Sequence, residues 1–150
     1  MNPYARFLDS QDPLTVIAAT PAKLRAAVDK HQAAIDHPRS EGKWSPRQII
    51  AHLADTEIAF AMRLRQTVAE PHHVIQPFDQ DAWAAGNPKA DVVTALAMFT
   101  ALRASNIEFI RAQAASMLAK PVTHPERGAM TFGVIIETMA GHDLNHLSQF

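Results

Sequence analysis

TFGVIIETMAGHDLNHLSQF, residues 131–150, is the stretch on which the fold turns. It contains no proline and opens on Thr131, a residue type suited to capping a helix. At 100° per residue, Phe132, Ile135, Met139, His142, His146 and Phe150 fall within about 80° of arc. This is the pattern of a helix with one core-facing stripe, interrupted by two imidazoles at i and i+4. Outward from it, the 10 prolines leave three more proline-free stretches, 22–37, 47–70 and 89–120, each too long for a strand. Thr20-Pro21 and Ser45-Pro46 read as N-caps followed by proline in the first helical turn, with Gln48 completing a capping box after Ser45. Asp91 caps a third helix. Each stretch carries one stripe: Leu24, Val28 and Ile35; Ile49, Leu53, Phe60 and Leu64; Val92, Leu96, Phe99 and Ile110.

Four single stripes require a shared core. The expected fold is therefore all-α, a four-helix bundle over 22–37, 46–69, 91–119 and 131–150, in a single domain spanning 1–150. A short helix from Asp12 to Ala19 precedes it, and no substantial sheet is expected. The 70–90 segment holds Pro71, Pro77, Gly86 and Pro88 and reads as irregular. It is long for a bundle connection, where roughly 2–8 residues are usual. A connection of that length can run back along a helix and make the second and third helices parallel neighbours.

The chain has 150 residues, a formal net charge of −1 and no cysteine. The charge balance gives no footprint for nucleic acid or an anionic membrane. The missing cysteine excludes disulfides, a Cys nucleophile and thiolate metal sites. Residues 1–10 lack the apolar run of a secretory signal, and the apolar runs elsewhere look too short to span a membrane. A cytoplasmic protein is expected.

The chemistry centres on the 8 histidines. His142 and His146 stack on the core side of one helix, where an imidazole needs partners and two protonated ones repel. A divalent cation resolves both demands, because neutral imidazole nitrogens ligate Zn, Ni or Fe. The competing account is a pair of core-edge histidines bonded to neighbours. A third ligand would come from a facing helix, and spacing leaves His52 and His31 both open. His37, His72, His73 and His124 lie in or beside proline-rich segments and read as solvated. Glu57, Arg103 and Asn106 fall on the core sides of their helices, which suggests a structural Glu57–Arg103 pair. Asp143 reads mainly as a surface or interhelical carboxylate, with a base or ligand-orienting role as the sharper alternative. Phe78 and Trp83 are expected to pack the long connection over the bundle mouth.

Several segments together carry a family resemblance. Trp44-Ser45-Pro46, His52-Leu53-Ala54-Asp55-Thr56-Glu57, Phe78-Asp79-Gln80-Asp81-Ala82-Trp83 and Gly141-His142-Asp143-Leu144-Asn145-His146-Leu147-Ser148-Gln149 resemble, in this order, the DinB-like (YfiT-like) metal-binding four-helix bundles. The resemblance runs from about Asp12 to the end of the chain. It implies a bundle that is often dimeric and a divalent ion held by His52, His142 and His146. It also implies a small-molecule substrate, with hydrolysis or thiol-dependent S-transfer involving a low-molecular-weight thiol as the candidate reactions. A non-catalytic metal-binding or stress-associated protein on the same bundle is the alternative. A di-iron carboxylate site is excluded, because Glu70-Pro71-His72-His73 alone matches its motif and contains a proline.

Overall fold

Ser45, Pro46 and Gln48 start the longest helix as expected. The Ser45 side chain accepts from the Gln48 backbone N–H while the Gln48 side chain accepts from the Ser45 N–H, and the helix runs Pro46–Ala69. In the computed structural model, which describes residues 2–150, it is α3. The other helices are α1 (Ala5–Leu8), α2 (Pro13–His31), α4 (Gln80–Gly86), α5 (Val92–Arg111) and α6 (Phe132–Leu147). Short 3-10 turns occupy Gln32–Ala34 and Ala115–Ala119, and three strands, β1 (His73–Val74), β2 (Pro121–His124) and β3 (Gly128–Thr131), form a small sheet.

α2, α3, α5 and α6 make the four-helix bundle. α3 and α5 run parallel, as the long connection predicts: Arg47 contacts Ala90, Glu57 contacts Arg103 and Arg65 contacts Asn106 in ascending order. α2 and α6 are likewise parallel, through Thr20 with Asp143 and His31 with Phe150.

The core has two apolar clusters with a polar layer between them. One cluster includes Ile17, Phe60, Leu64, Ile107, Ile135 and Met139; the other includes Leu24, Ile50, Leu53, Ala54, Leu96 and Phe99. Between them each helix contributes a buried polar residue: Thr20, Glu57, Arg103 with Asn106, and Asp143. The expected Glu57–Arg103 pair is present. Arg103 uses all five of its N–H donors: two to Glu57, two to Asp143 and one to the Ile17 carbonyl. Asn106 Nδ2 donates to Glu57 Oε1 at 2.8 Å, and Thr20 donates to Asp143 at 2.8 Å. Burial opposes the charge on Arg103, but the facing Asp143 and Glu57 carboxylates outweigh it and hold its pKa above the ordinary value.

The structure corrects four boundaries, one being the end of the first helix, which stops at His31 instead of 37. Thr20-Pro21 does not start a helix. α2 begins at Pro13, with Asp12 accepting from the Thr15 N–H, and passes through Pro21 without ending. A proline inside a helix frees the carbonyl four residues back. Here that carbonyl belongs to Ile17, and Arg103 Nη1 donates to it at 3.1 Å, so the tertiary fold satisfies what the local sequence could not. The third helix stops at Arg111 instead of 119, where the chain turns to lay Ala115–Ala119 against the start of α6. Gly133 allows that approach, since a Cβ there would stand 3.1 Å from the Leu118 carbonyl oxygen. The fourth helix keeps its Thr131 cap but ends at Leu147.

The sheet is an addition to the expected fold. β1 pairs parallel with β2, and β2 pairs antiparallel with β3. Pairing buries His73 and His124, so these two are not solvated loop histidines, whereas His37 and His72 are exposed. One helix also departs from the expectation about apolar length: Val92–Arg111 has 20 residues and a mean hydropathy of 1.2, within the range of a membrane span. In the bundle this helix carries the buried Arg103 and Asn106 into the polar layer.

Candidate metal centre

The i, i+4 spacing on α6 and the core-edge position on α3 bring His142, His146 and His52 together. One ring nitrogen from each lies within 4.8 Å of the other two, and all three residues are buried. His52 Nε2 and His142 Nε2 are 3.1 Å apart. Ring centroids are 5.1 Å apart for His52–His142, 4.8 Å for His52–His146 and 4.4 Å for His142–His146. Among the described residues no carboxylate joins this group. His31 lies elsewhere, against Phe150 with ring centroids 6.1 Å apart, so tertiary packing selects His52 as the third member.

Burial, reinforced by the neighbouring His146, pushes the His52 pKa down to about 3. Burial first, then His146 and His52, holds His142 well below the ordinary value. His146 is also lowered by burial, with partial relief from Gln149 and Asp143. All three rings are therefore neutral at pH 7. Proton competition for these nitrogens therefore sets in below the ordinary histidine value, because desolvation disfavours the imidazolium form.

Three residues orient the rings. His146 Nδ1 lies 3.2 Å from Gln149 Oε1, an acceptor that places the proton on Nδ1 and leaves Nε2 with a free lone pair. Trp44 stacks on His146 with an interplanar angle of 9° and tilts against His52 with centroids 4.7 Å apart. Tyr4 stands edge-on to His142 at 5.2 Å. Gly141 makes this placement possible, because a Cβ there would lie 2.6 Å from the Tyr4 carbonyl oxygen. The space a side chain would take at Gly141 is thus filled by the N-terminal segment.

A fit test favours a cation. Tetrahedral ligation at ~2.1 Å sets neighbouring nitrogens roughly 3.4 Å apart. The 3.1 Å His52–His142 separation is close to this, and three neutral imidazoles form a familiar donor set. His142 Nδ1 is buried with no hydrogen-bond partner among the described residues, so that ring is not held in place by ordinary hydrogen bonding on that side.

The cluster lies between two cavities. The larger, about 550 Å³, is lined by His146, Trp44, Arg39, Lys43, Asn145 and Gln149, among others. The smaller, about 260 Å³, has His52, His142, Thr56, Phe60, Arg63 and Arg127 in its walls. Tyr4 and Gln80 border both. Phe78 and Trp83 pack together with centroids 4.6 Å apart, and Phe78 closes one side of the smaller cavity. Asp143 points away from the centre into the polar layer, which makes it an interhelical carboxylate and not a base on the cluster. Tyr4 lies outside every periodic stretch, so no pattern in the sequence points to it.

A helical bundle with two parallel helix pairs and a buried three-histidine cluster defines the class. The chain belongs to the DinB superfamily, whose sequence profile matches residues 17–150. It is similar to an Oceanobacillus iheyensis protein named "putative metal-dependent hydrolase", with 28% identity over 122 residues, 81% of this chain and 71% of that one. A Bacillus mycoides protein of the same descriptive name is 27% identical over 123 residues, with the same shares of the two chains. Among solved structures it resembles YfiT from Bacillus subtilis, described as a probable metal-dependent hydrolase with an unusual four-helix bundle topology. The TM-score is 0.84 at 25% identity, covering 91% of this chain and 81% of that one.

Proposed function

We propose that the protein is a metal-dependent enzyme in which His52, His142 and His146 hold one divalent cation, zinc, nickel or iron, and that it acts on a small molecule as a hydrolase or a thiol-dependent S-transferase. The observation that carries this reading is the convergence of three buried, neutral imidazoles between two cavities. Three protein ligands suit a catalytic centre, where one coordination position stays available. When bound there, the cation supplies Lewis acidity that makes a water or thiol nucleophilic near neutral pH. The residues of this chain do the rest. Gln149 holds the His146 ring, Trp44 shields His52 and His146 from water, and Tyr4 covers His142. The larger cavity has room for a low-molecular-weight thiol and the smaller one for the second reactant. The relatives' names support metal-dependent hydrolysis in particular.

The test is elemental analysis of untagged protein followed by calorimetric titration with zinc. One metal per chain is expected, lost in His146→Ala and His52→Ala and retained in His31→Ala and His72→Ala. Unchanged zinc affinity in both His142→Ala and His146→Ala refutes the site. Metal-loaded protein that turns over neither esters nor amides, and transfers no group to cellular thiols, favours a non-catalytic metal-binding role. The enzyme is further proposed to be a cytoplasmic homodimer. A monomer by light scattering at micromolar concentrations refutes the dimer.

A further inference from the structure

We infer that Arg63 and Arg127 form the binding site for an anionic group of the substrate, a carboxylate or phosphate, held in the smaller cavity against the His52–His142 wall. The inference rests on the reading of the adjacent centre as the place of reaction, and it adds the chemical class of the substrate.

The two guanidinium groups reach the cavity from unrelated elements. Arg63 comes from the last third of α3, three turns after His52, and is partly buried. Its Cζ lies 5.7 Å from the centre of the Phe60 ring and 5.8 Å from that of Phe78, so two aromatic side chains flank the cation. Arg127 comes from the turn between β2 and β3, where its backbone N–H donates to the His124 carbonyl and Gly128 completes the turn at φ 74°. Both line the cavity that contains His52 and His142.

Neither arginine has a carboxylate within ion-pairing distance among the described residues. Arg63 has one long contact, 3.4 Å to the Gln76 carbonyl. Glu126 stands at the rim of the same cavity, exposed, and pairs with neither. Burial, and then the like charge of Arg127, lowers the Arg63 pKa to about 10. Two cations lining one partly dry cavity, neither of them paired with the Glu126 carboxylate at its rim, are unfavourable unless an anion joins them. Arginine at Arg103, where the fold needs a structural cation, is by contrast matched by two carboxylates. His124 adds a further donor. Its Nδ1 accepts from the Glu126 backbone N–H at 3.2 Å, which leaves the proton on Nε2. A carboxylate or phosphate presents oxygens to these N–H groups in charge-assisted hydrogen bonds. The rest of a small acid then extends toward His52 and His142.

The probes are acetate, inorganic phosphate and neutral acetamide, titrated by calorimetry into chelator-treated full-length protein, so that direct ligation of an anion to a cation cannot contribute. At least one anion is expected to bind, with affinity reduced roughly tenfold or more by Arg63→Met and by Arg127→Met. Both variants should take up zinc as the parent does. Stronger binding of acetate assigns a carboxylate substrate, and stronger binding of phosphate a phosphorylated one. Should Arg63→Met fail to fold, Arg127→Met decides alone, because its side chain sits on a surface hairpin. The inference is overturned by unchanged anion affinity in the folded variants, by acetamide binding as well as acetate, or by no binding of either anion. Zinc affinity unchanged in both His142→Ala and His146→Ala overturns the metal reading instead, and the anion titration is read independently of it.

Discussion

Acid should unfold the metal-free protein through its own site. The His52 pKa is lowered to about 3 in the fold, while an unfolded histidine titrates near 6.5. Between those values the unfolded chain binds a proton that the folded chain does not, so stability is present above about pH 6.5 and is lost as pH falls. Going from pH 7.5 to pH 5, the loss from His52 alone is about 2 kcal/mol, at ~1.36 kcal/mol per pH unit. His142, also lowered, adds a loss of the same sign. For a domain whose whole stability is on the order of 5–15 kcal/mol, this is a large share. The assay is urea unfolding of chelator-treated protein at pH 7.5, 6 and 5, compared with His52→Gln. The variant shifts stability at every pH, but the slope carries the test: it should be shallower by nearly one proton below pH 6. Equal slopes in variant and parent would refute the reasoning. Zinc at a hundred times its Kd should raise the stability of the parent at pH 7.5 by about 2.7 kcal/mol and leave His146→Ala unmoved.

Arg103→Leu leaves Glu57 and Asp143 buried without their cation and should cost about 3–5 kcal/mol, seen as a fall in Tm of roughly 6–20 °C. Arg47→Ala, which breaks a pair with the 62% exposed Asp36, should cost about 1 kcal/mol or less; a similar loss in both variants would mean the buried layer is not specially dependent on Arg103. Gly141→Ala forces a Cβ against the Tyr4 backbone and should cost about 1–3 kcal/mol. In that variant, hydrogen exchange should show faster exchange over α1, and unchanged protection there would show that the segment accommodates the methyl group.

The bundle itself could be read from residues. The Ser45–Gln48 capping box set the start of α3, and Asp91 and Thr131 set the starts of α5 and α6, because a cap is a contact among residues three apart. The pairing of His142 with His146 was legible for the same reason, since helical periodicity fixes which side chains share a face. Pro21 misled because its effect is local only until another helix answers it. Arg103, more than eighty residues away, donates to the carbonyl the proline leaves free and lets α2 run on. The choice between His52 and His31 likewise needed the packing of α3 against α6, which no spacing encodes.

The sheet shows the boundary most plainly. β1 and β2 pair across 48 residues between His73 and Val122, in runs of two and four residues too short to show alternation. That pairing buries His124 and sets Arg127 beside Arg63 at the cavity. The sequence by itself determined the four bundle helices, the caps of α3, α5 and α6 and the face that carries the paired imidazoles, because these follow from interactions within a few residues. Only the tertiary structure decided which third histidine joins them, which charges are buried and matched, and which are left to face the cavity, because burial and charge pairing depend on neighbours that the chain meets only after it has folded.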